Sequence, residues 1–260
     1  MNSEKLQLLP MAGAAGEPAT PIACRFDEPQ GNKPVFIWFC GFKSDMDSLK
    51  ASALKEWAVQ NGAGCLRFDY SGHGQSGGRF EDGSITAWLA QALALYKNTV
   101  EGREAVFVGS SMGGWIALLL ARALIAQGRS APKGIVLIAP AWDMTRLMWE
   151  RAPQEAREAI LRDGVYHRPS AYSQEPYAIT RVLIEDGKHH LFGEGPVPLD
   201  VPIRILHGCQ DPDVPWRHAL GLLDAIACPD MRLTLIKDGE HRLSRPQDLE
   251  LLFTSLHEFL

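Results

Sequence analysis

The sequence predicts an α/β protein with a mostly parallel central sheet flanked by helices. Short runs that are apolar on both faces alternate with longer segments of helical periodicity. This alternation is typical of βαβ units whose sheet is covered by helices on both sides. It is interrupted between residues 142 and 199 and then resumes. We therefore predict one core, formed by residues 1–141 and 200–260, with residues 142–199 inserted between strands as a helical cap.

The composition agrees with a globular enzyme and disfavours several other classes. The chain has 260 residues, of which 46% are hydrophobic and 22% charged, enough for one large domain. Its formal net charge of −5 argues against nucleic acid as a partner, because phosphate binding requires a basic surface. The longest apolar runs are shorter than the roughly 18 residues of a membrane span, so none is predicted.

The cysteines and the N-terminal segment favour a reducing compartment. The five cysteines are odd in number and widely separated, as expected of packed thiols: Cys24, Cys40, Cys65, Cys209 and Cys228. Residues 1–21 lack the features of a secretory signal and the arginines of a transit peptide, so we expect a cytoplasmic protein. His189, His190 and Cys209 lack the spacing of a zinc site, and no metal or organic cofactor is expected.

Each predicted strand is a short apolar run that is followed by Gly, Asp or Pro. The runs are 35–40, 65–70, 105–110, 134–140, 203–208 and 232–239, with a weaker one at 21–26. Helices are predicted over 48–60, 85–97, 112–126, 216–227 and 245–260. Ser244 and Gln247 have the spacing of a capping box, and a proline follows early, so they predict the start of the last helix.

The inserted segment predicts two helices, over 145–163 and 177–190, on either side of a Pro/Tyr/Ser-rich stretch at 168–177. Its first residues, WDMTRLMWE, are rich in large apolar side chains. These side chains either line an apolar pocket or pack the cap onto the sheet, and packing is the better expectation for most of them: Trp142, Met144, Leu147, Met148 and Trp149.

The stretch VGSSMGGW contains the pattern G-x-S-x-G centred on Ser111. The five letters alone occur by chance, but here they follow a predicted strand and open a long helix, as a nucleophile elbow requires. Gly109 and Gly113 would let the strand and helix pass closely. The backbone N–H of Met112 would lie at a helix N-terminus, where it can stabilise developing negative charge. We therefore predict Ser111 as a nucleophile.

A serine hydroxyl requires a base, and the base requires an orienting acid. On a sheet with this elbow, the acid and then the histidine follow the serine along the chain. Asp211 follows the penultimate predicted strand, and His241 lies in the turn after the last one. Asp213 and Asp143 are alternatives for the acid. Other histidines, including His207, do not lie in the turn after the last strand.

Two further loops flank the predicted site. Phe42 follows Cys40 and Gly41 at the end of the first long strand, where its backbone N–H would be a second oxyanion donor. Cys40 itself is expected to be packed rather than reactive. Residues 72–77 match G-x-G-x-x-G, but a turn-like sequence follows instead of the helix that a pyrophosphate needs. We therefore expect a tight turn at the rim of the site.

Taken together, the elbow, the late acid and the late histidine resemble the α/β-hydrolase superfamily, from about Pro21 to the end of the chain. Five strings are similar to one branch of it: GFKSDM (41–46), RFDYSGHGQSGG (67–78), VGSSMGGW (108–115), HGCQDPDVPW (207–216) and KDGEHRLS (237–244). That branch contains abhydrolase-domain member ten and its bacterial relatives. Its animal representatives are described as mitochondrial palmitoyl-protein thioesterases and acyl-glucuronide esterases. The N-terminal segment departs from them, so their location is not transferred.

This resemblance implies the α/β-hydrolase fold, a triad of Ser111, Asp211 and His241, and oxyanion donors from Phe42 and Met112. It also implies a serine hydrolase that cleaves ester or thioester bonds of small-molecule or protein-linked acyl substrates through an acyl-enzyme. An acyl-protein thioesterase and an acyl-glucuronide esterase are the candidates. A non-catalytic binding module, or a hydrolase of another bond type, is the alternative. Enzymes of this fold with aspartate at the elbow are disfavoured by Ser111.

Overall fold

The structure is a computed structural model that describes residues 6–11, 19–169, 176–193 and 195–260. In chain order the strands are β1 (Gln7–Met11), β2 (Thr20–Asp27), β3 (Val35–Phe39), β4 (Gly64–Phe68), β5 (Ala105–Ser110), β6 (Gly134–Ile138), β7 (Val165–Arg168), β8 (Tyr177–Thr180), β9 (Val197–Pro198), β10 (Ile203–Gly208), β11 (Ile226–Ala227) and β12 (Met231–Ile236). The helices are α1 (Leu49–Gln60), α2 (Ile85–Leu95), α3 (Met112–Ala126), α4 (Met144–Arg151), α5 (Gln154–Asp163), α6 (Arg181–Gly187), α7 (Trp216–Ala225) and α8 (Pro246–His257).

Eight of these strands form one sheet in the order β1-β2-β4-β3-β5-β6-β10-β12. Strand β2 is antiparallel to both of its neighbours, whereas the strands from β4 to β12 are paired in parallel. Every residue of β3, β4, β5, β6 and β10 is buried, because helices cover both faces of the sheet. The predicted mostly parallel sheet flanked by helices is confirmed. The parallel order brings the carboxyl ends of β5, β6, β10 and β12 to one edge.

The core is centred on the sheet and on helix α3. Most residues of α3 are buried, as expected for a helix that is apolar on nearly all sides. Large aromatic side chains, including Trp38, Trp88 and Trp115, are fully buried in the same cluster. This packing fixes the strand that precedes α3 and therefore the turn between them.

Several element boundaries differ from the predictions. Strands β4, β6 and β12 end before the predicted residues, and β1 was not predicted. Helix α2 ends at Leu95 and continues as a π-helical turn, Tyr96–Val100. The predicted capping box at Ser244 is wrong by one position. Helix α8 begins at Pro246, and the carboxylate of Asp248 accepts from the N–H of Arg245 at 3.0 Å, while Ser244 donates to the carbonyl of Arg242 instead.

The cap differs most from its prediction, because it is not helical throughout. The helix predicted over 145–163 is two helices, and Pro153 separates α4 from α5, as expected where proline disfavours helix in the preceding residue. The segment predicted as a helix over 177–190 begins instead with β8, which pairs with β7 in an antiparallel two-stranded sheet. Thr180 then caps α6 by accepting from the N–H of Leu183. Part of the stretch at 168–177 lies outside the described residues.

Apolar contacts hold the cap together. Ile160 of α5, Ile179 of β8 and Ile184 of α6 form a small buried cluster. Residues from both the cap and the sheet edge line one cavity, described below. None of the helices in the described ranges combines the length and the apolarity needed to cross a bilayer.

Candidate active site

Ser111 lies at a strained turn between β5 and α3. Its backbone has φ 54° and ψ −119°, a conformation that residues with a Cβ rarely adopt. Its N–H donates to the carbonyl of Ile138 at 2.9 Å. Its carbonyl accepts from Gly114 and from Ala141, both at 3.0 Å. These bonds to β6 and α3 hold the turn in place and direct the Ser111 hydroxyl to the carboxyl edge of the sheet.

The two flanking glycines are required by the close approach of β5, α3 and β3. A Cβ at Gly109 would lie 2.5 Å from the carbonyl oxygen of Gly113. A Cβ at Gly113 would lie 2.0 Å from the carbonyl oxygen of Phe39. Neither position tolerates a side chain without movement of the backbone. The G-x-S-x-G pattern is therefore a steric requirement of this turn.

Histidine and aspartate from two later loops meet the serine. The Nε2 atom of His241 lies 3.2 Å from Ser111 Oγ, and its Nδ1 atom lies 2.7 Å from Asp211 Oδ2. Asp211 follows β10 and His241 follows β12, so two adjacent parallel strands deliver the pair. The structure thus brings together Ser111, His241 and Asp211, in the order predicted for a nucleophile, a base and an acid.

The Asp211 carboxylate is buried and tightly held. Its Oδ1 accepts from the backbone N–H of Asp213 at 2.9 Å and of Val214 at 2.8 Å. Burial would raise its pKa, but hydrogen bonds from His207 and His241 and the backbone donors outweigh that effect and hold the pKa well below its usual range. Asp211 is therefore ionised at neutral pH and able to hold His241 in one tautomer.

The two alternative acids occupy other positions. Asp143 is fully buried, accepts from the N–H of Phe192 at 3.1 Å and pairs with Arg146 at 3.0 Å. Asp213 contributes its backbone N–H to Asp211. Within the described ranges, Asp211, Asp213 and His241 form a group of possible metal ligands within 4.8 Å of one another. In that group, the hydrogen bond between His241 and Asp211 occupies one ligand atom of each.

The loop after β3 lies directly against the elbow. A Cβ at Gly41 would lie 3.4 Å from Ser111 Cβ, so the loop passes directly beside the nucleophile. Phe42 is the next residue of this loop. No acceptor for the backbone N–H of Phe42 or Met112 is found in the part of the chain that is described. Within the described residues, neither N–H group is therefore committed to a backbone acceptor. Cys40 is buried, and burial raises the pKa of its thiol well above its usual value, so it is a packed residue.

A cavity of about 650 Å³ opens above Ser111 and His241. The cap supplies most of its apolar wall: Met144, Leu147, Met148, Trp149, Ala156, Ile160, Tyr166, Tyr177, Ile179 and Ile184. Of the five apolar residues singled out at the start of the cap, Trp142 is absent from this wall. Its indole N–H donates to the carbonyl of His218 at 2.7 Å, and its ring stacks on the same residue. The other four line the cavity, and Met144, Leu147 and Met148 also pack against the core.

Three residues that support the site were not predicted. His207 lies four residues before Asp211 in the sequence. Its Nε2 is 3.4 Å from Asp211 Oδ2 and 2.9 Å from the carbonyl oxygen of Val214. Lys50 of α1 donates to the Arg242 carbonyl and to Ser244 Oγ, next to His241. Burial and the nearby Arg242 lower the pKa of Lys50 to about 8. His73 contacts the loop that contains Phe42. Only His73 had a sequence signal, because it lies in the turn at residues 72–77 that was predicted at the rim of the site, whereas His207 lies within β10.

Comparison with known proteins identifies the family of this chain. The profile of the α/β hydrolase family matches residues 38–250, and the chain belongs to that family. Among curated proteins, mouse palmitoyl-protein thioesterase ABHD10, a mitochondrial protein, is 33% identical over 232 residues, which cover 89% of this chain and 76% of that protein. The predicted resemblance to this branch is confirmed.

Two solved structures extend the comparison over nearly the whole chain. One is from Agrobacterium vitis S4 and is described provisionally as a hydrolase. It is 39% identical, with a TM-score of 0.93 over 99% of each chain. The other is mouse alpha/beta hydrolase domain-containing protein 10, which is 30% identical with a TM-score of 0.84, covering 98% of this chain and 97% of that one. The α/β-hydrolase fold predicted from the sequence is thereby confirmed, and an esterase or thioesterase type of hydrolase is supported.

Proposed function

We propose that the protein is a serine hydrolase that cleaves acyl esters or thioesters through an acyl-enzyme on Ser111. One observation supports this proposal most strongly. Hydrogen bonds join Ser111 Oγ to His241 Nε2 and His241 Nδ1 to Asp211, and Ser111 and His241 line a cavity with an apolar cap wall. Nucleophile, base and orienting acid are the groups that acyl transfer requires.

In the first half of the reaction, Ser111 Oγ attacks the acyl carbonyl carbon while His241 Nε2 takes the hydroxyl proton. Asp211 stabilises the imidazolium through Nδ1–H and remains ionised. The carbonyl oxygen becomes an oxyanion, which the backbone N–H groups of Phe42 and Met112 stabilise. The tetrahedral intermediate collapses, the bond to the thiol or alcohol breaks, and His241 returns its proton to the leaving group.

In the second half, a water molecule takes the place of the leaving group. His241 accepts a proton from this water, whose oxygen attacks the acyl carbon of the Ser111 ester. The same two N–H groups stabilise the second tetrahedral intermediate. When this intermediate collapses, the carboxylic acid is released and His241 returns the proton to Ser111 Oγ. Each group therefore acts twice, and the reaction consumes one water for each bond cleaved.

The acyl chain occupies the cavity beneath the cap in this proposal. A volume of about 650 Å³ lies within the range of about 300–1,000 Å³ usual for ligand pockets. The part of its wall that the cap supplies contains aliphatic, methionine and aromatic side chains, which bind an extended hydrocarbon by burial of apolar surface. The name of the mouse relative, a palmitoyl-protein thioesterase, supports a long acyl thioester as the substrate class.

A fluorophosphonate probe tests the serine nucleophile directly. Wild-type protein is expected to be labelled on Ser111, and S111A to remain unlabelled. The neighbouring serine provides a matched control, because Ser110 is largely buried at the end of β5 and S110A leaves the nucleophile in place. Labelling that survives in S111A, or wild-type protein that is not labelled, would refute the nucleophile assignment.

A graded substrate panel tests the acyl class. Paired p-nitrophenyl esters and acyl thioesters of equal chain length would be compared by kcat/KM. The apolar cavity predicts that kcat/KM rises from short to long chains for both leaving groups. A flat or falling series would mean that the cavity does not receive the acyl chain, whatever the outcome of the probe experiment.

A further inference from the structure

The glycine-rich turn after β4 has no part in the proposed reaction, yet it contacts the loop that supplies an oxyanion donor. We define the oxyanion loop as residues 41–46 and the support turn as residues 69–77. Two side chains of the support turn, His73 and Asp69, accept hydrogen bonds from backbone N–H groups of the oxyanion loop. The contacts therefore join a predicted rim turn to the proposed catalytic machinery.

His73 contacts the residue that directly follows Phe42. The backbone N–H of Lys43 donates to His73 Nε2 at 3.1 Å. The other ring nitrogen, Nδ1, lies 3.2 Å from the carbonyl oxygen of Ser71. A carbonyl can only accept, so Nδ1 holds the proton and Nε2 presents a lone pair to Lys43. The two contacts together define the tautomer of the ring.

The surroundings of His73 keep its imidazole ring neutral. The side chain is nearly fully buried, and the rings of Tyr70, Phe80 and Trp88 pack around it with centroid distances of 5.7, 5.1 and 5.1 Å. Burial lowers the pKa of His73 to about 4. The ring therefore remains an acceptor for the N–H of Lys43 at neutral pH.

Asp69 fixes the far end of the same loop. Its Oδ1 accepts from the N–H of Met46 at 2.7 Å, and its Oδ2 accepts from the N–H of Gln75 at 2.8 Å. Gly74 makes this possible, because a Cβ there would lie 2.1 Å from Asp69 Oδ2, and its φ is +45°. The oxyanion loop is thus attached to the support turn at two points, on either side of its central residues.

The backbone of Lys43 explains why such an attachment is needed. Its φ is 55°, in the left-handed region that side chains with a Cβ disfavour. A hydrogen bond from its N–H to a rigid, buried acceptor opposes the return to an ordinary conformation. That return would move the peptide between Phe42 and Lys43, and the adjoining peptide, which contains the Phe42 N–H, would have to shift with it. A small displacement of an oxyanion donor is costly, because its stabilisation depends on geometry in the transition state.

We propose that His73 is a positioning residue of the oxyanion hole, which aligns the Phe42 N–H by accepting from the N–H of Lys43. The inference rests on the proposed function, since it assigns a role in the same reaction. His73 touches neither the substrate nor the reacting atoms, and its effect passes through the backbone of the oxyanion loop. The G-x-G-x-x-G pattern of residues 72–77 is then explained as the scaffold of this acceptor.

Three variants test the proposal with kcat measured per Ser111 labelled to completion by the fluorophosphonate probe. H73L fills the aromatic site but cannot accept a hydrogen bond, and its kcat is expected to fall about 10- to 100-fold with KM changed less than about threefold. H73Q offers an amide oxygen near the position of Nε2 and is expected to recover most of the loss. S76A is the matched control. The Ser76 hydroxyl accepts from the N–H of Ala23 in β2 and donates to the carbonyl of Asp69, so its described bonds do not involve the oxyanion loop.

Two further readouts separate positioning from loss of stability. An alkyl boronic acid, which forms a tetrahedral adduct with the serine, is expected to bind H73L more weakly in proportion to the loss of kcat. Amide hydrogen exchange at Lys43 is expected to be faster in H73L than in wild type and S76A. An unchanged kcat and unchanged Lys43 exchange in H73L would overturn the proposal, although Ser111 labelling would leave the proposed function intact. Absence of Ser111 labelling in wild type would instead contradict the proposed function.

Discussion

The carboxyl edge of the sheet and the cap are built by different forces. At the sheet edge, backbone hydrogen bonds fix each group: Ser111 bonds Ile138 and Ala141, and two backbone N–H groups bond the Asp211 carboxylate. The cap wall is held by apolar contacts, such as those among Ile160, Ile179 and Ile184. Directional bonds specify positions sharply, whereas apolar contacts adapt to the shape that they enclose.

This contrast assigns different tasks to the two regions. The proposed acyl transfer requires groups held to within fractions of an ångström, and the hydrogen-bonded sheet edge suits that task. The proposed selection of an acyl chain requires an apolar wall of suitable volume, and the cap wall suits that task. Substitutions at the sheet edge should therefore change the rate for every substrate. Substitutions in the cap wall should change the preference between substrates.

The largest effect is expected for Ser111→Ala. Loss of the attacking oxygen should lower kcat/KM by about 10⁴-fold or more for every ester and thioester. The thermal midpoint should remain near that of wild type, because the turn and its backbone bonds are unchanged. Steady-state kinetics and thermal unfolding on the same samples check both statements. A reduction shared equally with S110A would indicate general damage rather than loss of a nucleophile.

Substitution of the acid should come next in size and should distinguish the three candidates. Asp211→Asn removes the charge that orients His241 and is expected to lower kcat by about 10³- to 10⁴-fold. Asp213→Asn retains the backbone N–H that bonds Asp211 and should cost less than about tenfold. Asp143→Asn should keep most activity but lose about 1–3 kcal/mol of unfolding free energy, because its buried bonds weaken. Equal losses of kcat in all three would contradict the choice of Asp211.

A cap substitution should alter selectivity with little effect on chemistry. Ile179 is buried and lines the cavity, so Ile179→Phe should lower kcat/KM for a sixteen-carbon thioester by about tenfold and for a four-carbon one by less than about twofold. Val182→Phe is the matched control, since Val182 is 55% exposed on α6. Equal loss for long and short chains would mean that the cap wall does not bind the acyl chain.

The smallest effect expected is on stability as a function of pH. The folded-state pKa of Asp211 is depressed, so its contribution is present in full above the unfolded value of about 3.8 and is lost as pH falls below it. Urea unfolding of wild type and D211N should differ at pH 7 and pH 5. The difference should begin to shrink as pH falls below about 3.8 and should disappear only below the folded-state pKa of Asp211. A difference that grows as the pH falls would have the wrong sign for this assignment.

The core of the fold was predictable because its signals are local. Buried parallel strands are short apolar runs, and α3 was predicted with its observed bounds, Met112–Ala126. The order of serine, acid and histidine follows from strand order alone. The cap was less predictable, because β7 and β8 are defined by pairing with each other rather than by their own periodicity. Pro153 was a usable signal for the break between α4 and α5.

The supporting residues of the site were beyond sequence reasoning for a different reason. His207, Lys50 and His73 act through contacts with loops that are distant along the chain or defined by turn geometry. No spacing rule predicts that Lys43 would meet His73 across 30 residues. Likewise, helix α8 is capped at Arg245 rather than at Ser244, because the Asp248 carboxylate accepts from the Arg245 N–H. Such contacts follow only from the assembled fold.

Direct detection of the acyl-enzyme tests the central claim, that chemistry is located at the sheet edge on Ser111. Protein mixed with a long-chain acyl thioester would be quenched in acid within milliseconds to seconds and digested for mass spectrometry. The peptide containing Ser111 should gain the mass of the acyl group. This adduct should be absent from S111A and should disappear in wild type as product forms. Turnover without an acyl adduct at any time, or an adduct on another residue, would contradict the assignment of Ser111 as the nucleophile.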